Sequence, residues 1–148
     1  MTTATANKVY FEDVQEGQEI PKLVKNPSTQ QLVQWAAGSG DFYQIHYDPE
    51  FAKSTGLQGI IVHGALKHAF LGQLLWDWVT PSGGKIQKYG VSYRGMDVPA
   101  QEMTCRGVIT GKHQGNGENL VDLDIWTENP QGQKTTPGTA TVILPSRK

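Results

Sequence analysis

The side chains best placed to do chemistry in this sequence lie in the run Ser39-Gly40-Asp41-Phe42-Tyr43-Gln44-Ile45-His46-Tyr47-Asp48. Asp41 and His46 put a carboxylate and an imidazole five positions apart, in a polar, glycine-flanked segment between two stretches of helical pattern. Downstream, Ile60-Ile61-Val62-His63-Gly64 delivers a His-Gly step to the start of a long apolar helix pattern. A carboxylate–imidazole pair can move protons to and from a water. The first N–H groups of a helix have no internal partner and lie at the positive end of its dipole. Such amides suit the oxygen of a carbonyl that gains negative charge. Together these are the parts needed to add or remove water beside a carbonyl.

Other residues around this run have simpler readings. Asp48-Pro49 is an N-cap followed by proline at the first helical position, opening a short helix through Lys53. His63 precedes Gly64 and is expected to shape the loop by a hydrogen bond, within reach of substrate. His68 and His113 read as structural or exposed. Phe42, Tyr43 and Tyr47 sit at a turn beside the pair and can wall a channel; Trp76 and Trp78 suit the core or a subunit interface. Asp41, His46, Asp48 and His63 match no closed zinc spacing and have no thiolate nearby, so no metal is expected.

These residues need a scaffold, and the sequence patterns one. Ser28 or Thr29 can cap a helix to about Ala37, with Leu32, Val33, Trp35 and Ala36 on or near its inner face. Ala65 to about Val79 is apolar on most sides and is expected to be the buried hub, ended by Thr80-Pro81-Ser82-Gly83-Gly84. The period then changes from helical to alternating. Strands are expected over Lys85–Tyr93, Glu102–His113, Leu120–Glu128 and Thr135–Leu144, with hairpin turns at Gly115-Asn116-Gly117 and Asn129-Pro130-Gln131-Gly132. Val9 to Ile20 reads as a short strand or extended entry, and residues 1–8 as a tail. The pattern is α+β: an antiparallel sheet wrapped around one long helix, in a single domain over residues 9–148.

Composition narrows the function classes. The chain has 148 residues, 37% hydrophobic and 18% charged, so it can bury a core and is neither disordered nor membrane-like. Lys67, His68, Gln73 and Asp77 interrupt the longest apolar stretch, which is too short and polar to span a bilayer. No signal-peptide pattern is read at the N-terminus. A net charge of −1 without a basic run gives nucleic-acid binding no electrostatic support. The one cysteine, Cys105, lies in an alternating stretch and reads as half-buried and structural. The simplest compartment is the cytoplasm.

Ser39-Gly40-Asp41, Ile45-His46-x-Asp48, Ala52 and Ile61-Val62-His63-Gly64 together resemble the MaoC-like family of (R)-specific enoyl-CoA hydratases and dehydratases, which have the hotdog fold. The resemblance covers most of the chain. It departs at Tyr43-Gln44, where the family usually has Asn-Pro. It departs again on the long helix, where the positions near a common family serine are Ala69 and Gly72. The resemblance implies hydration of a trans-2-enoyl thioester to an (R)-3-hydroxyacyl thioester by syn addition. Asp41 and His46 would flank one water, and the Gly64 N–H, with Ala65 as a further donor, would bind the thioester oxygen. It also implies an acyl-CoA or acyl-carrier-protein substrate and a homodimer or a heterodimer with another hotdog chain. No cofactor is expected, because the thioester itself acidifies C2. Tyr43 is expected along an acyl channel, and Arg94, with Lys85 and Lys88, near the carrier phosphates. The alternatives are an acyl-carrier-protein dehydratase, a hotdog thioesterase, and a non-catalytic partner subunit.

Overall fold

The computed structural model describes residues 7–147. The tail expected over 1–8 therefore lies mostly outside the described residues. Five antiparallel strands form one sheet: β1 (Leu23–Lys25), β2 (Lys85–Val91), β3 (Met103–Gly115), β4 (Glu118–Glu128) and β5 (Lys134–Ile143), in the order β1-β3-β4-β5-β2. Three helices precede most of it: α1 (Thr29–Ser39), α2 (Pro49–Ser54) and α3 (Gly64–Val79).

One face of the sheet covers α3. Met103, Cys105 and Ile109 of β3, Val121, Leu123 and Ile125 of β4, and Ala140 and Val142 of β5 alternate inward. They meet Leu66, Phe70, Leu71, Leu74, Leu75 and Val79 of the helix in one apolar cluster. The helix buries this side against the sheet, while Ala65, Gln73, Trp76 and Asp77 are exposed, so the expected hub is covered on one side rather than all round. Cys105 is completely buried rather than half-buried. Burial in this apolar layer pushes its thiol up to about 12.

The local signals explain the element ends. The Ser28 side chain accepts from the Gln31 N–H at 3.1 Å and caps α1. Gly40 closes it in the left-handed region (φ 79°), where a side chain would be strained. Asp48 accepts from the Glu50 and Phe51 N–H groups and caps α2, as its spacing implies. Asn116 (φ 53°) and Gly117 (φ 78°) make the two-residue turn between β3 and β4.

Val9 to Ile20 forms no strand. Phe11–Asp13 is a turn of 3-10 helix, and only Glu19 forms a bridge to the sheet, at Val108. The first strand comes later, at Leu23–Lys25, too short for an alternation to show. Val33, expected on the inner face of α1, is 52% exposed, whereas Leu32 and Ala36 are buried. Trp76 lies outside the core at 61% exposure. No helix among the described residues is long and apolar enough to cross a membrane.

Candidate active site

Three local structures bring the chemistry together. The left-handed turn at Gly40 passes the chain from α1 into Asp41, whose backbone N–H donates to Ser39 Oγ and whose Oδ1 accepts from the Tyr43 N–H. A 3-10 turn over Gln44–His46 then places His46 under the loop, 7% exposed. The Ile61 N–H donates to the Ile45 carbonyl, and His46 Nδ1 lies 2.8 Å from the Ile61 carbonyl. A carbonyl only accepts, so Nδ1 carries the hydrogen and Nε2 carries the lone pair. Nε2 lies 4.0 Å from Asp41 Oδ2, close enough for one water to hydrogen-bond to both. The Asp41 side chain is 44% exposed, so the pair stands at the boundary of solvent and interior.

His46 and Gly64 line the same cavity, of about 320 Å³, with Ile61, Val62 and Lys67 on one side and Tyr93 to Met96 on the other. Gly64 opens α3 without a side-chain cap from His63, leaving the first-turn amides of the helix to other acceptors. A Cβ at position 64 would lie 3.0 Å from the Tyr93 ring, so glycine lets this strap close down on the helix end.

His63 is fully buried and does not line the cavity. Its ring stacks on that of His46, with centroids 3.8 Å apart and planes 22° from parallel. Its Nε2 donates to the Asp41 carbonyl at 3.2 Å, leaving the lone pair on Nδ1, which is buried without a partner. Burial first, then the adjacent His46, lowers its pKa, and the ring is held neutral. Asp41, His46 and His63 offer donor atoms within 4.8 Å of one another. His63 Nε2 has its hydrogen on the Asp41 carbonyl, so on this ring the lone pair that remains is that of Nδ1. The three are held together by the ring stack and by the one hydrogen bond from His63 to the Asp41 backbone.

The other expected residues divide. Arg94 lines this cavity and a neighbouring one bounded by Trp126 and Lys134. Lys85 and Lys88 lie on β2 and line neither cavity. Tyr43 is 54% exposed, meets His46 and Phe51 edge-on, and is not in the cavity wall; Tyr93 takes the aromatic place there. Ala65 is exposed and also outside the wall. His68 stacks obliquely on Tyr89, and His113 lies 3.5 Å from Asp122.

Sequence reasoning missed Lys67 and the strap that it holds. Lys67 is 2% exposed, and its Nζ donates to Asp97 Oδ2 at 2.9 Å and to the Gly95 carbonyl at 2.8 Å. A lysine one turn into the long helix, between the apolar Leu66 and Phe70, was the available signal. Its partner lies 30 residues away and had none.

Known proteins add context to this geometry. The chain is 30% identical over 124 residues to the fatty acid synthase beta subunit TOXC of Cochliobolus carbonum, covering 80% of this chain but only 6% of that protein. It is 27% identical over 124 residues to an (R)-specific enoyl-CoA hydratase of Aeromonas caviae, covering 84% of this chain and 91% of the hydratase. The solved structure of an A. caviae (R)-hydratase involved in PHA biosynthesis superimposes with a TM-score of 0.81 at 25% identity, over 90% of this chain and 99% of that one. The sheet wrapped on α3 is thus the hotdog fold. A family model described as MaoC like domain matches residues 2–129, and the chain belongs to that MaoC-like dehydratase family.

Proposed function

We propose that this protein is a hydro-lyase that interconverts a trans-2-enoyl thioester, carried on coenzyme A, and its (R)-3-hydroxyacyl thioester. The observation that carries the reading is the shared cavity. His46 and Gly64 face it together, and Asp41, which is not itself in the cavity wall, stands with Oδ2 4.0 Å from His46 Nε2. The chemistry follows from the tautomer. With Nδ1–H held by the Ile61 carbonyl, Nε2 of His46 is the atom that acts as the base. Asp41 and His46 each accept one hydrogen of a water. His46 takes its proton as the oxygen bonds to C3, and the imidazolium returns that proton to C2. Water is added with no other reactant and no cofactor. Enolate charge on the thioester oxygen falls to the N–H at Gly64; removing such a donor in known enzymes costs about 3–4 kcal/mol.

The test uses crotonyl-CoA and follows loss of absorbance of the conjugated thioester. Asp41→Asn and His46→Gln are each expected to lose at least a hundredfold in kcat, about 2.7 kcal/mol, with unchanged melting curves. Wild-type rates in both variants would overturn the assignment. Release of free thiol instead of hydration would identify a thioesterase. The match to a fatty acid synthase subunit favours one second reading, a substrate on acyl carrier protein. Comparing kcat/KM for crotonyl-CoA and crotonyl-acyl-carrier-protein decides between the two carriers. We place the enzyme in the cytoplasm and expect it to pair with a second hotdog chain, its own copy or another.

A further inference from the structure

Lys67 and Asp97 form an ion pair with side chains only 2% and 4% exposed, against the cavity that holds His46 and Gly64. Stability does not call for such a pair. Taking two charges out of water is costly, and apolar side chains of similar volume do as well or better. The arrangement is also directional. Lys67 is a lining residue of the cavity and Asp97 is not, so of the two partners the lysine is the one next to the site. The ammonium is tied to the Gly95 carbonyl, itself in the cavity wall, and its third hydrogen has no protein partner among the described residues. Lys67 follows Gly64 by one turn on α3, so the charge reinforces the positive end of the same helix.

We infer that Lys67 is a further electrostatic element of the site, which stabilises the negative charge that develops on the thioester oxygen. Asp97 and Gly95 hold it in place. A cation as buried as Lys67 is screened less than one in water, and being already oriented it needs no reorganisation at the moment of reaction. The role is felt in the transition state, so it belongs to kcat more than to KM. The inference rests on the hydratase reading, whose transition state supplies the charge.

The test removes both charges together, because a lone Asp97 carboxylate would be stranded in the interior. Lys67→Met/Asp97→Leu keeps the volume apolar. Lys67→Gln/Asp97→Asn keeps hydrogen-bonding groups at both ends. Crotonyl-CoA hydration is followed with a thermal melt on each protein. Both folded variants are expected to lose at least tenfold in kcat with KM changed less than threefold, and Lys67→Arg is expected to retain more kcat than either. A folded double variant with wild-type kcat, beside an active wild type and an inactive Asp41→Asn, overturns the inference alone. A wild-type protein that hydrates no enoyl thioester overturns the hydratase reading and the inference with it.

Discussion

At the scale of single residues, the site is a stack. His63 lies beneath His46 and ties down the Asp41 carbonyl, so one buried ring positions both members of the pair. Its neutrality matters, because two stacked imidazolium ions would repel and His46 must be free to accept a proton. This neutrality has a thermodynamic consequence. The pKa of His63 in the folded protein is below the ordinary value of 6.5, so the unfolded chain binds the extra proton first as pH falls. The stabilising contribution is therefore complete above about pH 6.5 and is lost as the solution is acidified through the folded pKa. The melting temperature of the wild type is expected to drop between pH 7 and pH 5. His63→Gln, which has nothing to titrate there, is expected to show a smaller drop. Equal slopes in the two proteins, measured by calorimetry in matched buffers, would show that His63 is not the group responsible.

At the scale of elements, the turns set the register. The β3–β4 hairpin turns through Asn116 and Gly117, both at positive φ, and its pairing then runs from Gly115 with Glu118 to Thr104 with Glu128. Gly117→Ala places a side chain in a left-handed position and is expected to cost about 1 kcal/mol, or about 2–4 °C in melting temperature for a chain of this size. The hairpin tip lies at the Lys85 end of the sheet and the cavity strap follows the Val91 end, so kcat on crotonyl-CoA should not change; a loss of kcat would mean that the strands slip as a unit. This hairpin was legible in the sequence because its signal is local, as were the caps at Ser28 and Asp48 and the Asp41–His46 spacing. The missed features are those whose cause is distant. Lys67 becomes intelligible only when Asp97 arrives from beyond β2, and Tyr93 rather than Tyr43 walls the cavity because the 92–98 strap folds over the end of α3. Leu23–Lys25 is a strand only because β3 lies beside it, with Leu23 opposite Cys105.

At the scale of the whole molecule, Cys105 reports on the sheet's integrity. It sits in β3, between Leu23 of β1 and Thr127 of β4, and faces the apolar layer against α3. No part of it is exposed, and its thiol is held at about 12, so at pH 8 it is neither accessible nor ionised. A fluctuation confined to the catalytic loop leaves both neighbours in place. An opening that separates the sheet from α3 removes the burial that holds the thiol pKa up and lets a reagent in. The rate of modification by a thiol reagent such as DTNB is therefore expected to follow global unfolding. In water it should be slower than for a free thiol by a factor approaching the unfolding equilibrium constant, and it should rise with urea along the slope seen by circular dichroism. The double variants at Lys67 and Asp97, which alter the cavity wall but keep the apolar layer, are expected to follow the same relation. Fast modification in the absence of urea, or a slope well below that of the spectroscopic transition, would mean that β1 detaches by itself. The three-residue strand would then be a door into the core rather than part of it.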